Sequence, residues 1–429
     1  MKDLFNREIL DSGLEVVSLS IPNRYSTAFG IWSKAGARHD PLGLDGLAHF
    51  SEHMFFKGTT NRTNRQISDE MEAVGGSMNA FTTYDVISIH GRTLGKDLNV
   101  ATDIIGDMVR NPLFSEIEIE KEKQVVAEEI AQDLDDPISI GFTRLTEIMW
   151  DSNPLAHNIL GSHESVNGFT RQNIIDFHQK HYQPGNLIAA ACGEVDHRAF
   201  IDEMQRIFDG AEGRNHLTAP TSKPANTGSL HLQQDDIGQA YVYLVMPAND
   251  MPFDKKYALS MLSMILGGST SSRLFQKIRE DRGMAYSVGA STEFFEDNRL
   301  LMASANVHPK NADSVFGMIL DEIMDIAHNG VRDDEFYLAR KHIPARLMLS
   351  SESTNGMLYR TVTNLILFNE FVSIDDTARG FAEVTKDDLR EAAEMLSHKD
   401  NMIGFIYGGI DGDFDGKGLD IKWHKPMKQ

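Results

Sequence analysis

An α+β fold made of two homologous halves is predicted by three features of the sequence. Thr170 to Asp196 and Thr385 to Asp411 share Thr170/Thr385, Asn186/Asn401, Gly193/Gly408 and Asp196/Asp411, all at one offset of 215 (385 against 170). Both segments read as a helix, a short turn and an apolar strand closed by glycine. Between the halves, residues 211–228 are rich in Pro, Gly, Ser, Thr and Asn and poor in large apolar side chains, the composition of a linker. The boundary is set near residue 218, giving halves 1–217 and 218–429. Within each half, strands, helices, strands, helices and a last strand follow one another. That order predicts helices packed on one face of a mostly antiparallel sheet.

The elements of the first half can be justified in turn. Leu47 to Gly58 reads as a helix ending at Gly58, a residue suited to a left-handed C-cap. A second helix starts near Asn64 as its N-cap, buries Ile67, Met71 and Val74, and closes at Gly75. Ser77 to Tyr84 follows as a strand, and residues 115–133, rich in Glu and Lys, as a long helix. In the second half, Ala258 to Gly268 repeats the outline of Leu47 to Gly58 without its histidines, so this half is predicted to hold no metal.

Composition narrows the function classes. The chain has 429 residues, 41% of them hydrophobic, ample for more than one core. Its formal net charge of −22 argues against nucleic acid or an anionic membrane as a partner, since phosphate binding needs a basic surface. Cys192 is the one cysteine, so no intramolecular disulfide forms, and its apolar run Leu187 to Cys192 predicts a buried, inert thiol. Residues 1–8 have neither the apolar core of a signal peptide nor a transit-sequence composition. No stretch approaches the roughly 20 apolar residues of a membrane span. A cytoplasmic protein is the expectation.

The chemistry lies in His49-Phe50-Ser51-Glu52-His53. On a helix, positions four apart share a face and the third lies beside them. His49 and His53 can therefore grip one zinc ion while Glu52 points at a water, the H-x-x-E-H order of a zinc hydrolase. Catalytic zinc sites usually take three protein ligands. The third is sought on the helix at 115–133, where Glu122 and Glu129 lie two turns apart on one face. One of them can ligate while the other orients a histidine. Glu128 is an equal candidate by composition.

Leu47 to Thr59 resembles the pitrilysin/insulinase-type zinc peptidases, nearest to the branch of the mitochondrial processing peptidase β-subunit and its bacterial relatives. The resemblance covers essentially the whole chain and implies a clamshell subunit of two similar halves. The family's third ligand stands 76 residues past the second histidine, which is Glu129 here (129 against 53). Its supporting glutamate falls on Glu122. Asn79, Ala80, Phe81 and Thr82 resemble the edge strand that pairs with substrate by β-augmentation. Arg279 and Tyr286 resemble the pair that binds the scissile region and polarises its carbonyl. The resemblance thus implies a zinc endopeptidase with one Zn2+ per chain and Glu52 as general base. It also implies a chamber of four halves, hence a homodimer or a heterodimer with a related subunit. The alternatives within the family are a scaffold subunit, which typically carries a broken motif, and a peptide-binding subunit that needs a different partner for activity. The positions that read an arginine in presequences are Ser139 and Thr143 here, which points to broader oligopeptide cleavage.

Overall fold

The first half forms β1 (Phe5–Ile9), β2 (Glu15–Ser20), β3 (Ser26–Ser33), α1 (Leu47–Phe55), α2 (Asn64–Ala73), β4 (Ser77–Thr82), β5 (Ile87–Leu94), α3 (Leu98–Arg110), α4 (Glu116–Asp135), α5 (Pro137–Trp150), α6 (His163–Gly168), α7 (Arg171–His181), β6 (Leu187–Gly193) and α8 (His197–Ile207). The second forms β7 (Ser229–Gln234), β8 (Ala240–Pro247), α9 (Lys256–Gly267), β9 (Ala285–Phe294), β10 (Arg299–Val307), α10 (Ala312–Asn329), α11 (Asp333–Ser350), α12 (Thr354–Phe368), α13 (Ile374–Glu383), α14 (Lys386–Leu396), β11 (Ile403–Gly408) and β12 (Lys422–Trp423). A turn of π-helix spans Phe275–Glu280. This computed structural model describes residues 2–211, 213, 220–410, 422 and 423. The predicted boundary at residue 218 and the repeat's Asp411 lie outside them.

Two six-stranded sheets result, ordered β1-β2-β6-β3-β5-β4 and β12-β7-β11-β8-β10-β9. In the first, β6 runs parallel to β2 and antiparallel to β3; in the second, β11 stands likewise between β7 and β8. The repeated residues hold equivalent places. Thr170 and Thr385 are N-caps of α7 and α14, each closing a capping box. Gly193 and Gly408 end β6 and β11 at φ 130° and 111°. A Cβ there would lie 2.4 Å from the carbonyl oxygens of Ser26 and Gln239, respectively. Only glycine fits both the backbone angle and the space.

Two compact units form. The first comprises the described residues of Met1–Asp133, His157–Thr221 and Leu349–Ile374; the second those of Leu134–Ala156, Ser222–Met348 and Asp375–Gln429. In the first unit, Phe29, Ile31, Ile87 and Ile89 face a core closed by α1, α3 and α7. The opposite face is covered by α12, which arrives from far along the chain. Tyr359 of α12 sits edge-on to Trp32 and His90 at centroid distances of 6.4 and 5.1 Å. In the second unit, Val242, Leu244 and Ile406 face α9, α10 and α14. Its other face, lined by Tyr243 and Tyr407, meets α5 at Gly141, where a Cβ would lie 3.0 Å from the Tyr243 hydroxyl and 3.2 Å from the Tyr407 ring. Each sheet therefore carries helices on both faces, where the sequence pattern predicts one.

Two helix caps differ from expectation. The N-cap of α2 is Thr63, whose hydroxyl accepts from the Gln66 N–H while Gln66 reaches back, so Asn64 is the first helical residue. The C-cap of α1 is Phe56, and Gly58, at φ 108°, shapes the following loop instead. Among the described residues no helix is long and apolar enough to cross a membrane.

Burial gives the first unit a pH dependence. It pulls His39 and His90 down to about 4 and His181 to about 3, so all three fold uncharged. A depressed histidine stabilises the fold fully above its unfolded pKa of about 6.5. Below that the unfolded chain takes up protons first, and stability is lost until pH reaches the folded values. We expect His181→Phe to lose less of its urea midpoint than the parent chain between pH 7.5 and 5. Equal losses would refute the assignment.

Candidate metal centre

Helix α1 is buried on nearly every side, with Leu47, Ala48, Phe50, Met54 and Phe55 fully enclosed. Its free N-terminal donors are met by Asp40, whose carboxylate accepts from the N–H groups of Gly46 and Ala48 at 2.8 Å each. Burial raises the Asp40 carboxyl well above the usual range, against the pull of these N–H groups. Gly46 takes φ 89°, and a Cβ there would lie 2.6 Å from the Leu160 carbonyl oxygen. These contacts fix where α1 begins, and so where its third and seventh residues stand.

Those residues are His49 and His53. Their Nε2 atoms face each other at 3.2 Å, and one Glu129 carboxylate oxygen lies 3.7 Å from each. The three ligand atoms all fall within 4.8 Å of one another. Ligands about 2.1 Å from a tetrahedral zinc stand roughly 3.4 Å apart, so the set fits that ion. Burial, followed by the nearby His53, pulls His49 down to about 3, which keeps it neutral as a ligand must be. Glu128, the other candidate, points to solvent.

Glu122, one helical face along α4, approaches His53 Nδ1 at 2.8 Å. Its second oxygen takes Lys57 Nζ at 2.6 Å. Burial opposes its charge, but these two partners hold its carboxyl below the usual range. Burial also lowers His53, and the Glu122 hydrogen bond outweighs it, so His53 stands above its ordinary value. A metal takes the neutral ring, so binding there competes with protonation. Lys57 escaped the sequence reading; it lies two residues past the end of α1, in the turn before Gly58, where helical spacing no longer applies.

Glu52 lies between the histidines, 9% exposed, its carboxyl raised chiefly by burial. Strand β4, carrying Asn79, Ala80, Phe81 and Thr82, is the edge strand beside β5. Met78 and Ala80 pack toward the core, while Phe81 turns to the other face against His90 and Tyr359. The structure thus brings His49, His53, Glu129, Glu122, Glu52 and this edge together in one unit. Arg279 and Tyr286 belong to the second unit. Arg279 is exposed on the π-helical turn, its guanidinium 4.9 Å from the Phe275 ring centre; Tyr286, 78% exposed, stands on the edge strand β9. Ser139 and Thr143 both lie on α5.

Residues 15–163 match the family model described as Insulinase (Peptidase family M16), and residues 168–343 the model described as Peptidase M16 inactive domain. An uncharacterized zinc protease of Streptomyces coelicolor is 34% identical over 90% of this chain and 86% of its own length. The chain belongs to the insulinase, or M16, peptidase family. An uncharacterized zinc protease of Mycobacterium tuberculosis is 32% identical over 91% of this chain and 90% of its own. Among solved structures, a protease from Helicobacter pylori superposes with a TM-score of 0.88 at 21% identity, covering 94% of this chain and 99% of that one. A peptidase M16 inactive domain from Pseudomonas fluorescens gives 0.85 at 18%, covering 95% and 98%. At that identity they speak for the fold, which is the two-halved M16 architecture.

Proposed function

We propose that this M16 chain is a zinc-dependent endopeptidase acting on peptides or unfolded segments. The observation that carries the reading is the convergence of His49, His53 and Glu129 with Glu52 set between the two histidines. His49, His53 and Glu129 would hold one zinc ion, with Glu122 fixing the His53 ring. When bound, the ion acidifies water toward neutrality and polarises a carbonyl. Glu52 takes the proton of the attacking water and passes it to the departing amide nitrogen. A peptide adds to the open edge of β4 through main-chain hydrogen bonds. Arg279 and Tyr286, both exposed, are the candidates for stabilising the carbonyl oxygen. In a dimer of four halves they would serve a peptide held by the partner chain.

Purified chain is expected to cleave a quenched peptide library. A chelator should stop cleavage, and one equivalent of zinc per chain should restore it. Native mass on the same sample should report a dimer. Stoichiometric zinc with no cleavage at any concentration would overturn the enzyme reading in favour of a partner subunit.

A further inference from the structure

The Glu52 carboxylate makes one hydrogen bond among the described residues: Thr82 Oγ1 donates to its Oε2 at 2.5 Å. We propose that the Thr82 hydroxyl is the positioning residue of this site, holding one oxygen of Glu52 so that the other is presented to the water it deprotonates. The proposal rests on the peptidase reading and adds a role for this side chain that pairing with a peptide does not require.

The mount is rigid. Thr82 is the last residue of β4, paired with Ile87 of β5. The turn beyond it is closed by the Thr83 N–H donating to the Val86 carbonyl at 2.8 Å. The Thr83 carbonyl in turn accepts from the Ala37 N–H at 2.9 Å. Asp85, in the same turn, is locked to the buried Arg38 at 2.8 Å. Threonine is also stiff about χ1, so its hydroxyl has little freedom to follow a moving partner. Glutamate is the opposite, with three torsions between backbone and carboxylate. A base that swings samples its productive pose for a fraction of the time, and misplacement by about 1 Å can cost on the order of a hundredfold in rate.

The position also ties two functions together. Alternation along β4 sends Met78, Ala80 and Thr82 toward α1 and Phe81 to the opposite face. The backbone of β4 offers its edge to a peptide, while its Thr82 side chain grips the base. Substrate strand and base are thereby referred to one element.

Thr82→Val removes the hydroxyl and keeps the branched shape. We expect kcat to fall roughly tenfold to a hundredfold, with KM, zinc per chain and unfolding temperature unchanged. Thr82→Ser should restore most of the loss. A crystal structure of Thr82→Val should show the Glu52 carboxylate in more than one rotamer. Unchanged kcat, a raised KM at constant kcat, or a single unaltered Glu52 rotamer would each overturn the proposal. If the parent chain cleaves no peptide, the peptidase reading fails by itself, and the rotamer comparison still decides whether Thr82 positions Glu52.

Discussion

Glu52→Gln is expected to lower peptide turnover by at least about a hundredfold while zinc content stays at one per chain. The substitution keeps size and preserves an oxygen able to accept from Thr82, so the fold and the 2.5 Å contact can persist. What it removes is proton acceptance. A neutral amide cannot take a proton from water at neutral pH, and it has none to return to an amine. Glu129→Gln should fail differently. Glu129 is the one carboxylate of the ligand set, and His49 and His53 alone leave a two-ligand site. Catalytic zinc generally needs a third ligand, so this variant should lose the ion along with the activity. Measuring kcat and zinc per chain on both proteins separates the two roles. Glu52→Gln with undiminished turnover would remove Glu52 from the chemistry, and a zinc-replete Glu129→Gln would remove Glu129 from the ligand set.

Local signals carried the metal centre because its parts are local. His49, Glu52 and His53 occupy one helix, and helical periodicity alone puts them on one face. Glu122 and Glu129 share another helix by the same rule. Choosing Glu129 over Glu128 needed the family spacing, since composition treats adjacent glutamates alike. The duplication was legible because Thr170/Thr385 and Gly193/Gly408 do the same physical work twice, capping a helix and passing a crowded strand end. The covering of each sheet by a helix from far along the chain was not. Helices α5 and α12 have apolar stripes like any packed helix, and a stripe does not say which sheet it meets. Gly141 and Tyr359 acquire meaning once their neighbours are known. The Thr82 contact was hidden for a related reason, because a β-strand threonine is unremarkable until a carboxylate from another element arrives at its hydroxyl.

Arg273→Met is expected to destabilise the second unit by about 3 kcal/mol. The Arg273 side chain is 5% exposed and grips Glu335 with two nitrogens at 2.8 and 2.9 Å. Its third nitrogen reaches Asp325 at 2.6 Å and Glu322 at 3.4 Å. Removing the guanidinium takes a cation and its hydrogen bonds from the buried Glu322 and Glu335, which costs more than the pair itself contributes. The cost is held toward the lower end because Glu322 keeps Lys277 and Glu335 keeps Arg332. Lysine is no substitute, since a point charge cannot make the two-pronged contact. The first unit offers an internal control. Arg62 joins Asp107 at 2.9 Å, and Asp107 matches Glu322 at the repeat offset of 215 (322 against 107). Asp107, however, also accepts from Thr59, Asn61 and Asn111, so Arg62→Met leaves it hydrogen-bonded. Its loss should be about 1 kcal/mol. Urea unfolding of both variants checks the order, and equal losses would show that the remaining donors, and not the arginine, set the stability of these clusters. Arg273 also stands two residues before the π-helical turn that bears Arg279. A loosened cluster should therefore raise KM for peptides if Arg279 binds substrate, and leave KM alone if that arginine is only a surface cation.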